Sequence, residues 1–320
     1  MAGKVFAYIE HMEGIADDTA LELVNAGKKI AGGAGMTALV FGSGIEALCN
    51  EMAASFSEVW KIDNDAFSYP NAEVIRKALL KILPSDAVVL VPHDTFGMDL
   101  APGLSIKMES PFLADVIDYE VEGSGLTAVR QEYSGQAHAH MSCDLSAGAV
   151  INVRPGVFQP DESKSAGGQV VDKSGDIGEI AAGRRFLEVV EAEAGEVDIT
   201  KSDVLVSVGR GIEDEENIEI AQELADAMGA VVSCSRPIVD AKWLEKSRQV
   251  GTSGQTVKPK VYLAMGISGS FQHLGGIKGN PFIVAVNKNP KAPIFQVADV
   301  GVEADILEFM PALTEAIKAL

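Results

Sequence analysis

The sequence is poor in aromatic residues: Phe, Trp and Tyr make up 6% of its 320 residues, against 47% hydrophobic residues in all. Cores built that way are filled by Val, Ile, Leu and Ala, as in α/β proteins, and nothing in the composition suggests disorder. Cysteine is scarce as well. Cys49, Cys143 and Cys234 are far apart, odd in number and without CxxC spacing, which argues against a disulfide framework and against a cysteine-ligated metal or iron–sulfur site. Basic residues are in deficit, 26 Lys and Arg against 46 Asp and Glu, for a formal charge of -20. No local basic cluster offsets that charge, which repels phosphate backbones and anionic lipid, so no nucleic-acid or membrane-surface partner is expected. The apolar runs are of strand length, too short to span a bilayer. An apolar strand pattern begins at once, "KVFAYIEH" (Lys4 to His11), with no signal-like leader before it, so the expectation is a mature cytoplasmic protein.

The length suggests two domains. Up to about Val91, short apolar runs alternate with helical ones: "KVFAYIEH", a helix over Ala16 to Ala26, "MTALVFG", a helix from Gly44 to Ala54, "EVWKID", a helix from Asn71 to Ile82, and "AVVLVP". Buried strands separated by helices imply right-handed βαβ units and a parallel sheet. From Gly123 to Asp172 the period becomes two, in "LTAVRQEY", "AHAHMSC" and "AVINVRP", which reads as an antiparallel addition with one wet face. A helix is expected from Asp176 to Glu191, then an acidic, weakly apolar stretch from Glu191 to Asp203, with the domain junction near Thr200. The two domains are thus 1–199 and 200–320.

After the junction the βα rhythm restarts with "DVLVSVG", an acidic-capped helix "EENIEIAQELADAMG", "AVVSCS", "KVYLAMG", "FIVAVN" and "PIFQVAD", and a closing helix spans Ala304 to Leu320. Ligands of open parallel sheets bind outside the carboxyl ends of the strands, here Gly209, Ser235, Gly266, Asn287 and Asp299.

Several constellations fall at those ends. "SVGRGIEDEEN" imitates a dinucleotide fingerprint, but the third glycine position is Asp214, and the acids after it would oppose a pyrophosphate. Arg210 there offers a cationic fork, either to a ligand or to the acidic helix start. "VVSCSRPIVD" puts Ser235 and Arg236 at a strand end cut off by Pro237, where the arginine can serve an anion or a structural ion pair. "QVGTSGQ" sets two hydroxyls, Thr252 and Ser253, between glycines that let backbone approach a ligand, though an ordinary Gly-Ser turn reads the same. The strongest stretch is "MGISGSFQHLGG", Met265 to Gly276. Glycines at 266, 269, 275 and 276 around Ser268 and Ser270 make a nest of N–H groups suited to a phosphate without any lysine. Gln272 and His273 follow, placed to meet a flat heterocycle; alone, such a histidine is more often structural.

In this order, "GRG", "SRPIVDA", "VGTSGQTVKPKVYLAMGISGSFQH" and "VNKNPKAPIFQVADVGVEAD" resemble the alpha subunits of electron transfer flavoproteins over essentially all of the chain after Val204. "DTFGMDLAPGLS" and "NVRPGVF" extend the resemblance more loosely into the first half. It implies an α/β protein of two domains with mainly parallel sheets, the C-terminal one a Rossmann-like FAD-binding domain, paired with a beta subunit. It also implies roles: Arg210 and Ser235 on the FAD, Arg236 over the flavin ring, and Val250, Gly251, Thr252 and Ser253 as the loop by its reactive edge. Ser268, Gly269, Ser270, Phe271, Gln272 and His273 would run from the pyrophosphate to the ring, with His273 by the pyrimidine carbonyl. Asn287 and Asp305 would meet the adenosine half, and Ile306 would also touch the cofactor. Where the family commonly has Gln-Thr, this chain has Thr252-Ser253, which leaves the glutamine's contact without its usual donor.

The reading is an FAD-bearing carrier that takes electrons from acyl-CoA or other dehydrogenases and passes them to a redox acceptor such as a quinone oxidoreductase. No nucleophile and base pair suggests substrate turnover. Two alternatives stand beside it: an NADH-dependent bifurcating complex whose second FAD lies mainly in the partner subunit, and an NAD-dependent hydrolase or deacylase of similar topology with His273 as its base.

Overall fold

The computed structural model describes residues 4–133, 136–164, 166–184, 186–188 and 197–319. Its contacts gather into two units, Met1–Glu188 and Val189–Leu320.

The first unit opens with β1 (Val5–Tyr8), a hairpin of β2 (His11–Met12) and β3 (Ile15–Ala16), and α1 (Thr19–Ala31). Next come β4 (Thr37–Gly42), α2 (Glu46–Met52), β5 (Glu58–Asp63), α3 (Ala72–Ile82), β6 (Val88–Pro92) and α4 (Thr95–Met108). Local chemistry sets the boundaries. Asn71 caps α3 by accepting from the N–H groups of Glu73 and Val74, Asp94 caps α4 through Gly97, and Gly32 ends α1 in the left-handed region. β1, β4 and β6 are buried at every residue, as parallel strands covered on both faces must be.

β7 (Phe112–Glu122), β8 (Gly125–Glu132) and β9 (Ala137–Asp144) form the antiparallel meander, followed by β10 (Ala149–Val153) and β11 (Gln169–Asp172). Among the described residues the sheet order is β11-β5-β4-β1-β6-β10-β7-β8-β9. Two expectations for this region are corrected. "AVINVRP" is not part of the antiparallel addition: β10 lies parallel between β6 and β7 and is wholly buried, Asn152 included, as a central strand covered on both faces is. The expected helix from Asp176 to Glu191 does not form over its described part. Its carbonyls are taken by α3 instead: Lys81 Nζ donates to Ile177 and Glu179, Lys77 Nζ to Ala181, and Asn71 Nδ2 to Arg184. Glu73 accepts from the N–H of Gly183. The end of that expected helix lies outside the described residues.

The second unit contains β12 (Val204–Val208), α5 (Ile218–Met228), β13 (Val231–Cys234), α6 (Arg236–Asp240), β14 (Val261–Met265), α7 (Phe271–Leu274), β15 (Phe282–Asn287), β16 (Val300–Glu303) and α8 (Ile306–Lys318). The strands are all parallel in the order β13-β12-β14-β15-β16. One face packs Val206, Val208, Leu263 and Met265 under α5 and α8; the other packs Leu205, Tyr262, Ala264 and Ala285 with Ile199, Val250 and Ile294. Ile199, on the amino side of the expected junction, is therefore buried in the core of this unit. "PIFQVAD" is not a strand either. Pro293–Gln296 forms a 3-10 turn whose Ile294 N–H donates to the Ser268 carbonyl, and the strand starts afterwards, at Val300. Asp299 consequently sits at the amino end of the sheet, exchanging hydrogen bonds with Ile283, and Glu303 takes the carboxyl end.

Candidate functional site

The carboxyl ends of the strands in the second unit carry most of the residues singled out in the sequence, and short contacts knit their loops together. Gly211 N–H donates to Gly266 O, Ser235 N–H to Val208 O, Val250 N–H to Cys234 O and Thr252 N–H to Gln272 O. Glycine is what permits these approaches. A Cβ on Gly276 would lie 2.3 Å from the Gly251 nitrogen, and one on Gly269, at φ +80°, would lie 2.5 Å from the Ile294 nitrogen. The glycines first serve loop-to-loop packing: the N–H groups of Gly266, Gly275 and Gly276 are committed to the carbonyls of Val286, Phe271 and His273. Among the described residues the N–H groups of Ser268, Gly269, Ser270 and Phe271 have no carbonyl acceptor, a run of free donors at the entrance to α7.

Arg210 is exposed and makes no ion pair among the described residues, so the acidic helix start does not claim it; Glu213 pairs with Lys288 instead. Arg236 begins α6 and faces solvent, with Nε 3.4 Å from Asp240 one turn on. An exposed pair of that length holds the guanidinium weakly. Ser235 is buried, and its hydroxyl does not cap α6.

Ser253 is exposed, and its Oγ accepts from the Nε2 of buried Gln249 at 2.9 Å. The hydroxyl proton of Ser253 is thereby left to donate outward. Gln249, which the sequence reading passed over, sits immediately before the Val250–Ser253 loop, and its adjacency to two hydroxyls was the available signal.

His273 is buried at 5% exposure, with Nε2 2.8 Å from the Tyr262 hydroxyl and Nδ1 without a partner at full hydrogen-bond geometry. Burial pulls its pKa down to about 4, the Val250 backbone partly opposing, so the ring is neutral near pH 7. A buried imidazole engaged by a phenol is not set up as the exposed base that a hydrolase would need. With Nε2 on the phenol, Nδ1 is the ring's one uncommitted nitrogen. Phe271 and Gln272 are exposed beside it.

The adenosine-half expectations fare differently. Asn287 commits both ends of its amide to protein, Nδ2 to Ile267 O and Oδ1 to the N–H of Asn289, so it braces the loop from Gly266. Asp305 caps α8 through Leu307 and receives Lys288, whose ammonium is the first cause holding its carboxyl below the usual range. The Ile306 side chain is buried in the core, which leaves its backbone as the part a ligand could reach. Cys234 lies below this site, and burial pushes its thiol up to about 12, leaving it inert.

These atoms suit a dinucleotide flavin: free backbone donors for a pyrophosphate, a hydroxyl proton and an orphaned imidazole nitrogen for a heterocycle, and the exposed guanidinium groups of Arg210 and Arg236. Residues 198–278 match the family described as "Electron transfer flavoprotein FAD-binding domain", and residues 5–176 match "Electron transfer flavoprotein domain". The chain is 33% identical over 325 residues to the "Electron transfer flavoprotein subunit alpha" of Thermoanaerobacterium thermosaccharolyticum, covering 99% of this chain and 98% of that one. It is 35% identical over 322 residues to the protein of the same description in Methylophilus methylotrophus, covering 99% of each. It is also 29% identical over 323 residues to "Lactate dehydrogenase (NAD(+),ferredoxin) subunit LctC" of Acetobacterium woodii, covering 98% of this chain and 77% of that one.

Proposed function

The chain belongs to the electron transfer flavoprotein alpha-subunit family, with an FAD-binding domain and a beta subunit implied as its partner, and from that premise we propose that it carries electrons from acyl-CoA or other dehydrogenases to an acceptor such as a quinone oxidoreductase. The observation that carries this reading is the convergence of free donors at the strand ends of the second unit. In it, the N–H groups from Ser268 to Phe271 bind the FAD pyrophosphate, Arg210 and Ser235 flank the cofactor, and Arg236 lies over the ring. The Val250–Ser253 loop covers the reactive edge, with Ser253 donating, and His273 Nδ1 donates to the pyrimidine side. Asp305 and the Ile306 backbone face the adenosine, and Asn287 supports from behind. FAD supplies the electron storage; these residues set its binding, orientation and potential. Unpaired thiols at Cys49, Cys143 and Cys234 support a reducing, cytoplasmic setting.

Similarity to LctC supports a second reading, a subunit of an NADH-dependent bifurcating complex. Purification with the beta subunit separates the two: a yellow complex with one FAD and AMP, reduced by a dehydrogenase, is the simple carrier, and two FAD per heterodimer with reduction by NADH is the bifurcating type. A colourless complex that takes up no FAD would overturn both.

A further inference from the structure

Three hydroxyls lie in an otherwise apolar layer of the second unit. Ser207 on β12 and Ser233 on β13 are register partners, both fully buried, and neither hydroxyl has a partner at full hydrogen-bond geometry. Tyr262 on β14 is also fully buried in the layer that includes Leu205, Ala264 and Ala285. Burial raises the phenol pKa, and Ser207 and then Ser233 pull it back as hydrogen-bond donors would, with buried Cys234 acting the other way between them. The phenol in turn meets His273 Nε2 at 2.8 Å. Serines facing the core and a tyrosine with its oxygen inside it cost stability unless the polar atoms serve one another or a ligand.

The buried phenol decides the proton positions. Sealed from water, it must give its proton to a neighbour, and its one partner at full hydrogen-bond geometry among the described residues is Nε2. A neutral imidazole that accepts at Nε2 carries its proton on Nδ1. That nitrogen is the one without a partner at full hydrogen-bond geometry.

We propose that Tyr262 is a positioning residue that holds His273 as the neutral Nδ1–H tautomer, with Ser207 and Ser233 orienting the phenol. The inference rests on the proposed role of His273 toward the flavin and deepens it: the imidazole presents a fixed donor to an acceptor atom of the heterocycle without carrying a full charge. A phenylalanine at 262 would leave the ring buried and packed but free to move its proton to Nε2.

The test is long-range proton–nitrogen NMR of the FAD-loaded heterodimer, near pH 7, with this chain alone labelled at its five histidines. His273→Gln assigns the resonance. The expected result is a neutral Nδ1–H pattern for His273 in the wild type and loss of that single pattern in Tyr262→Phe, the other histidines being unchanged. A neutral Nε2–H pattern in the wild type, or the same Nδ1–H pattern in Tyr262→Phe, would overturn the proposal. If Tyr262→Phe does not fold, the wild-type pattern together with Ser233→Ala decides it: an Nδ1–H pattern weakened in Ser233→Ala upholds the relay, and an unaltered pattern in Ser233→Ala refutes it. The flavin midpoint potential of Tyr262→Phe is the separate arm. A changed tautomer with unchanged potential upholds the tautomer assignment and removes His273 from the flavin.

Discussion

Gln249 holds the hydroxyl of Ser253 from behind, its buried amide donating across 2.9 Å to an oxygen that is otherwise exposed. Ser253→Ala removes the outward donor while leaving the glycines in place. FAD stays bound, and the flavin potential falls by roughly 40 mV, the equivalent of about 1 kcal/mol for one hydrogen bond in a one-electron step. Gln249→Leu should give a smaller fall in the same direction, and the double variant no more than Ser253→Ala alone, since both act through one hydroxyl. Spectroscopic redox titration of the three variants checks this. Additive shifts would mean that Gln249 acts by another route.

Arg236 bears on the potential through charge. A guanidinium about 4 Å from a developing anion interacts by up to about 4 kcal/mol at an effective dielectric near 20. Its exposure and its pairing with Asp240 reduce that to about 1 to 2 kcal/mol. Arg236→Ala is therefore expected to lower the potential by roughly 40 to 90 mV. Arg236→Lys should recover part of the loss, because charge returns without the planar fork. An unchanged potential in Arg236→Ala, at equal flavin content, would reduce the arginine to a helix ion pair.

Burial gives His273 a folded-state pKa of about 4, below its unfolded value near 6.5. The unfolded state binds the proton first, so this group's contribution to stability is complete above pH 6.5 and is lost as pH falls toward 4. Urea midpoints between pH 5 and 7 should fall more steeply with acid in the wild type than in His273→Gln. Parallel profiles would show that the imidazole is already charged when folded.

Glu10 has the opposite sign. Burial first, then the hydrogen bond that its protonated carboxyl donates to Asp94, and the charges of Asp94 and Asp17, push its folded pKa up to about 10 from 4.5. The folded state then holds a proton the unfolded state releases, so stability is greatest below pH 4.5 and declines as pH rises toward 10. Glu10→Gln keeps the shape and removes the titration. Relative to the wild type it should gain on the order of several kcal/mol between pH 4.5 and pH 8. A stability difference that is the same at both values would contradict the shared proton.

The βα rhythm was legible because buried parallel strands leave uninterrupted apolar runs, as in β4 and β14, and because the caps at Asn71, Asp94 and Gly229 are local chemistry. What was not legible depends on partners remote in sequence. The segment after Asp176 has helical composition but is strapped to α3 by Lys77 and Lys81, about a hundred residues earlier. "PIFQVAD" has the apolarity of a strand, yet Ile294 spends its N–H on Ser268. β10 and β8 look alike in period, and only pairing distinguishes a central parallel strand from a meander. At the site, the exposed donors were readable from glycines, hydroxyls and arginines at strand ends. Gln249 and Tyr262 were not, since each acts through another side chain and looks in sequence like part of a turn or a core.

The central claim is that FAD lies on the strand-end loops of the second unit, on the amides from Ser268 to Phe271 and the loop from Val250 to Ser253. Hydrogen–deuterium exchange of the heterodimer, compared before and after FAD is removed, tests it most directly. The account predicts that bound FAD slows exchange in peptides covering 250–253 and 268–273, with little change in β7 to β9. Protection confined to residues 4–188, with the 268–273 peptide exchanging equally in both states, would contradict it.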